Sequence, residues 1–272
     1  MTWRGPAILL AASALFLAPA AGRSAPARTQ VDLELVLAVD VSLSMDVREQ
    51  LLQREGYAAA FRHPDIINAI RAGRTGRIAV TYVEWSSKYL QWIAVPWMVI
   101  EDEATGDAFA QKIVKAWHIQ RDYTSISDAL MFASTLFLSN DYDGDRQVID
   151  ISGDGPNNNG IPVETARDAV VAAGITINGL PILPAADRPI GYFDIRDIDT
   201  YYQDCVIGGP GAFIVSVGSR KEFGTAIRRK LLLEIVDAGG IMPASVVQME
   251  HHSDCMVGER ALKEWLDGGR DE

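Results

Sequence analysis

The sequence predicts an α/β domain built on a doubly wound, mainly parallel sheet with one antiparallel edge strand. Leu35 to Val39 is an unbroken apolar run ending in Asp40, and a strand without alternation is one buried on both faces, as in a parallel sheet covered by helices. Runs of strand length recur at Ile78 to Val83, Gln147 to Ser152, Ile175 to Leu180 and Ala212 to Val217, with helix-periodic stretches between most of them. That alternation builds parallel sheets. About 245 residues remain once a leader is set aside, enough for one large core.

The leader is residues 1–27. Arg4 precedes the apolar stretch Ala7 to Ala18, and small residues follow around Ala18-Pro19-Ala20 and Ala25-Pro26-Ala27, the pattern of a cleaved secretory signal. The apolar stretch falls short of the ~20 residues that span a bilayer, and no later segment supplies them, so no membrane span is expected after cleavage. The mature protein is expected to be periplasmic or secreted. Net charge is −11, and cleavage removes Arg4 and Arg23 and no acid, which argues against nucleic acid and anionic membrane as partners. Two cysteines, Cys205 and Cys255, can pair in an oxidising compartment, although two thiols at unpatterned spacing are equally compatible with separate roles.

The elements follow in order. Val47, Leu51, Leu52, Tyr57, Ala58 and Phe61 recur among charges over 46–62, predicting a helix that His63-Pro64 closes and Pro64 reopens through Ile70. Arg77 to Trp85 reads as a strand, with Tyr89 to Val95 as its hairpin partner and the antiparallel edge. The nearby Trp85, Tyr89, Trp92 and Trp97 read as cross-strand packing rather than a ligand-stacking surface. Phe109 to Trp117 and the stretch from Thr124 to Phe137 are helical by spacing. Pro162 opens a further helix that stops at Gly174, and Ser219 with Glu222 suggests a capping box before a helix over 220–237. Residues 184–210 form a polar insertion with a short helix at Ile198 to Cys205. The domain is expected to span 28–240, leaving 241–272 as a tail. Asp141, Asp143 and Asp145 lack the remaining positions of a calcium loop and read as a solvated turn. The four histidines show no zinc spacing.

The polar loops carry the functional signal. Asp40, Ser42 and Ser44 alternate with Val41 and Leu43 just past the first buried strand, so an extended chain sends all three to one side, at the carboxyl end of the sheet where ligands bind. Oxygen-only donors with few carboxylates suit a hard divalent ion, Mg2+ foremost, while a turn in which Asp and Ser bond their own backbone is the plainer alternative. Thr124 begins a helix and its ordinary role would be capping. Asp154 lies in Gly153-Asp154-Gly155-Pro156-Asn157-Asn158-Asn159-Gly160, a tight loop at another strand end, where an Asx-turn is the ordinary role.

With Asp40-x-Ser42-x-Ser44, Thr124 and Asp154-Gly155 in that order, residues 32 to about 236 resemble the von Willebrand factor type A domains, in a secreted bacterial branch. The resemblance implies a metal-ion-dependent adhesion site. Ser42, Ser44 and Thr124 would be hydroxyl ligands and Asp40 and Asp154 the carboxylates, holding Mg2+ (or Mn2+ or Ca2+) with one position open for an Asp or Glu carboxylate from a protein partner. The function implied is protein binding without catalysis. Two departures stand out: Arg121-Asp122-Tyr123-Thr124 where many relatives carry paired glycines, and Gly153 where a threonine often stands. Gly153-Asp154-Gly155-x-Asn157-Asn158 is also similar to the last motif of haloacid-dehalogenase-like Mg2+-dependent phosphohydrolases, in which Asp40 would be the nucleophile. That chemistry wants an acid two residues later to protonate the leaving oxygen, and Ser42 stands there. A scaffold that has lost its site fits less well, because all five ligand positions carry competent oxygens.

Overall fold

The computed structural model describes Met1 and residues 27–45, 47–116, 122–184, 191–236 and 253–268. The expected leader therefore lies almost wholly outside the described residues, as do Trp117, Arg121, His118, His251 and His252. Five strands form the main sheet: β2 (Leu33–Asp40), β3 (Ile78–Trp85), β4 (Gln91–Ile100), β6 (Gln147–Gly153) and β7 (Thr176–Pro181), in the order β4-β3-β2-β6-β7. All neighbours are parallel except β3 and β4, so the expected antiparallel edge is present. All eight residues of β2 are buried, which is why Leu35 to Val39 within it is an unbroken apolar run.

Alternate residues of β2 feed two cores. Leu33, Leu35, Leu37 and Val39 pack with α1 (Val47–Phe61), α2 (Pro64–Arg71), α3 (Glu103–Lys115) and α7 (Phe223–Ile235). Val36 and Ala38 pack with α4 (Ile126–Leu136), α5 (Val163–Ala172) and the short helix α6 (Ile198–Tyr201) with the π-helical turn Tyr202–Val206 that continues it. Helices on both faces make the sheet doubly wound.

Several local expectations are corrected. The hairpin strand runs on to Ile100 and takes in Pro96, which an edge strand tolerates because one side needs no ladder donor. Helix α3 begins earlier than its apolar spacing shows, because Asp102 and Thr105 form a capping box. The Ser219–Glu222 box does not form: Glu222 donates its backbone N–H to Ser219 O at 3.0 Å in a turn, the helix begins only at Phe223, and Glu222, at the cap position, makes no side-chain cap. Ala212 to Val217 follows β7 through single bridges at Ile214 and Val217 instead of a continuous strand. Part of the reason is that the Asn178 side chain, not a backbone carbonyl, takes the Phe213 N–H. The expected solvated turn at 141–145 contains β5 (Tyr142–Gly144), paired parallel with β1 (Thr29–Val31) in a small second sheet.

The aromatics of the hairpin behave as packing. Trp85 is fully buried, and Trp97 stacks at a tilt on Phe137 and Tyr142. Tyr89, at 79 % exposure, does not join them. Cys205 and Cys255 form a disulfide, which closes a loop of 50 residues and stabilises by about 4 kcal/mol through the unfolded state. Beyond it the expected tail carries α8 (Val257–Gly268), an ordered helix lying against the loops at the sheet's carboxyl edge.

Candidate metal site

The structure brings all five expected ligands to the carboxyl ends of β2 and β6. Val41 still donates to Trp85 O at 2.9 Å, so the chain leaves β2 extended and then turns. The turn is closed by Asp40, whose Oδ1 accepts from Ser42 N–H at 2.7 Å. Ser42 Oγ lies 2.9 Å from Ser44 Oγ, and Ser44 Oγ donates to Asp154 Oδ1 at 2.6 Å. The first and third loops thus meet through the very groups proposed as ligands. Ser42, Ser44, Thr124 and Gly155 line one cavity.

Thr124 is held by a different set of contacts. Its N–H donates to Asn158 Oδ1 and its carbonyl accepts from Asn158 N–H, both at 2.9 Å, while Ser127 N–H reaches Asn157 Oδ1 at 3.0 Å. Asn157 and Asn158, which the sequence presents as turn residues, are the clips between the second and third loops. Ser125 caps α4, so the capping role considered for Thr124 is already filled.

Both departures from the family pattern have a structural reason. Tyr123 adopts φ 63, the left-handed conformation that glycine takes without strain. The backbone turn is therefore made without glycine, and the price is a strained tyrosine at the rim. At Gly153 a Cβ would come within 2.8 Å of both Asp40 Oδ2 and Tyr202 Oη. Tyr202 fills the space a threonine would need, so glycine is required there.

The electrostatics are those of two acids drawn together under burial. Asp40 is fully buried, and burial first, then the Asp154 charge, push its carboxyl well above the usual carboxylate range; hydrogen bonds from Ser42 oppose the shift. Its Oδ2 has no hydrogen-bond partner among the described residues. Buried oxygens are rarely left so, because the desolvation cost goes uncompensated. The buried Tyr202 hydroxyl also lacks a hydrogen-bond partner among the described residues, and burial followed by the charge of Asp40 raises its pKa well above the ordinary phenol value. Among the described residues no three His, Cys, Asp or Glu side chains converge on a metal position. A cation here would rest on three hydroxyls and two carboxylates, which fits a hard divalent ion.

Sequence reading missed Tyr202 because the polar insertion gave no sign that it folds back to Asp40. It also missed the contact of α8 with the third loop, where Asn157 Nδ2 donates to Glu259 Oε1 at 2.7 Å. The two cysteines were the available signal for both, since their bridge joins the insertion to the segment before α8.

A central parallel sheet wound on both faces, with this site beyond its carboxyl ends, defines a von Willebrand factor type A fold. The chain belongs to the family described as a protein of unknown function, DUF1194, matched over residues 30–239. A comparison with curated proteins returns no match. Among solved structures, the pilus adhesin SpaC from Lactobacillus rhamnosus GG is similar at TM-score 0.55 and 14% identity, over 76% of this chain and 31% of that one. Proximal thread matrix protein 1 from the mussel byssus, in a structure described as having a zinc-occupied MIDAS motif, is similar at TM-score 0.51 and 15% identity, over 76% and 48%. The von Willebrand factor type A protein from Catenulispora acidiphila is similar at TM-score 0.51 and 12% identity, over 75% and 43%. The match thus spans less than half of each of those chains, and at these identities it speaks for the fold.

Proposed function

We propose that the domain is a non-enzymatic, divalent-cation-dependent protein-binding module of the bacterial envelope. Asp40, Ser42, Ser44, Thr124 and Asp154 would hold Mg2+, Mn2+ or Ca2+, and an Asp or Glu carboxylate of a protein partner would complete the coordination. The observation that carries this reading is the unpartnered Oδ2 of Asp40, buried beside a second carboxylate at the meeting point of three polar loops. Three neutral hydroxyls and two carboxylates leave a bound dication electropositive toward an outside acid. The zinc-occupied motif in the mussel protein and the adhesin among the structural neighbours support it.

An extracytoplasmic location is supported by the Cys205–Cys255 bridge and by the signal-like leader. No helix among the described residues is long and apolar enough to cross a membrane. The phosphohydrolase alternative is disfavoured by Ser42. Its hydroxyl is engaged 2.9 Å from Ser44 Oγ, and an ordinary hydroxyl does not replace a carboxylic acid as proton donor.

Affinity capture from the native host's envelope fraction tests the reading. A partner retained in Mg2+ should elute in chelator and should not be retained by Asp154→Ala. A partner held equally in chelator and by the variant would contradict it.

A further inference from the structure

The cavity above the proposed metal position measures about 500 Å3, the scale of clefts that enclose a small ligand or a short peptide segment. Its floor is polar but its walls are aromatic: Tyr123 from the second loop, Tyr192 and Phe193 from the insertion, and Trp265 from α8. The rings are ordered against one another, Tyr192 edge-on to Phe193 at 5.3 Å and Phe193 to Trp265 at 6.2 Å. Even so, Tyr192, Trp265 and Tyr123 are 58%, 53% and 43% exposed. Large apolar side chains gathered this openly around one polar point mark a binding surface.

One side of this wall comes from outside the family-matched region, since Trp265 lies beyond residues 30–239. The Cys205–Cys255 bridge and the bond from Ser253 N–H to Asp204 Oδ2 at 2.8 Å bring the chain to α8. Gly258 then lets the helix sit directly on the metal loop, because a Cβ there would lie 2.2 Å from Asn157 O. Asn157, which fixes the second loop, also bonds Glu259. One residue thus couples the proposed metal loops to the helix that carries Trp265.

Asp122 and Asp194 line the same cavity. The cation would offset the charge of one carboxylate, whereas each further acid on the ligand would meet them as like charges with nothing to offset it. Resting on the metal-dependent reading above, we infer that the site takes an extended peptide segment bearing a single carboxylate flanked by aromatic side chains, the acid going to the cation and an aromatic neighbour to the Phe193–Trp265 wall.

Calorimetry on the mature full chain in saturating Mg2+ tests this with two blocked peptides, acetyl-Gly-Phe-Asp-Phe-Gly-amide and acetyl-Gly-Gly-Asp-Gly-Gly-amide. The phenylalanine-flanked peptide should bind about ten-fold more tightly, the size of one aromatic contact. Trp265→Ala, at a half-exposed position, should erase that preference while leaving Mg2+ affinity and binding of the glycine-flanked peptide unchanged. Gly258→Ala, which displaces α8 and Trp265 with it while leaving every ring of the wall unsubstituted, should also reduce it. Equal affinity for the two peptides, or a preference that survives both variants, would overturn the inference and leave the metal-dependent reading standing. Absence of Mg2+ binding by the wild type would overturn both.

Discussion

Asp40 and Asp150 lie on adjacent strands of the same sheet, are both fully buried, and meet that burial in opposite ways. Asp150, in the middle of β6 opposite Leu37, pairs with Lys230 Nζ at 2.6 Å and accepts from the Tyr57 hydroxyl at 3.3 Å. Lys230 also pairs with Glu234 at 2.5 Å, and Asn178 donates to Glu234 at 3.1 Å. Burial still raises the Asp150 carboxyl, and Lys230 is the main force against it. Asp40 accepts from Ser42 N–H on Oδ1 and is eased only by neutral hydrogen bonds from Ser42 and the Asp154 backbone, with no partner for Oδ2 among the described residues and a neighbour of its own sign in Asp154. Where the chain uses a buried carboxylate to join α7 to the sheet, it supplies the counter-charge itself. Beyond the end of β2 no described residue does so, and the proposal that a cation arrives from solution rests on that difference.

Removing the internal cation should have the largest effect. Lys230→Met leaves Asp150 and Glu234 buried without compensation and should cost about 3–5 kcal/mol in urea unfolding. A variant as stable as the wild type would remove the contrast. At the other carboxylate the sign reverses. Asp40→Asn keeps the acceptor for Ser42 N–H and removes an uncompensated buried charge, so in chelator it should be more stable than the wild type by about 1–3 kcal/mol. It should also lose any stabilisation by Mg2+. Equal destabilisation of both variants would show that Asp40 is an ordinary structural acid.

Glu84 offers a smaller test, because it is buried with only a partial answer to its charge. Arg54 Nε donates to it at 2.9 Å, yet burial pushes its carboxyl up to about 7. Between the unfolded value of ~4.3 and that point, the folded protein holds a proton that the unfolded chain has released. Stability therefore falls as pH rises through this window. Glu234, also raised to about 7, acts in the same direction. Glu84→Gln should flatten the slope by up to one proton without abolishing it. An unchanged slope in denaturation across the window would contradict this.

What was legible in the sequence was what is local or periodic. The β2 run and the Asp40-x-Ser42-x-Ser44 spacing fall within ten residues, and the strand–helix alternation sets where the loops of Thr124 and Asp154 emerge. Lys230 was not legible, because Lys230 and Glu234 at i,i+4 look like an exposed helical pair and only the packing of α7 against β6 buries them. The Ser219–Glu222 pattern misled because a capping box needs the helix to begin just after Ser219, and here it begins only at Phe223, which puts Glu222 at the cap instead of on the first turn. Tyr202, Phe193 and Trp265 approach the site across separations that no pattern along the chain reports, and only the cysteine pair hinted at the closure.

The most direct measurement is a calorimetric titration of Mg2+, repeated with Mn2+, into the mature wild-type protein and into Asp154→Ala. Asp154 sits on a loop outside the core, so circular dichroism should show both proteins equally folded. The expected result is a single saturable site in the wild type that is absent from the variant. No binding of either ion by the wild type, or the same binding by Asp154→Ala, would contradict the assignment of Asp40, Ser42, Ser44, Thr124 and Asp154 as a cation site.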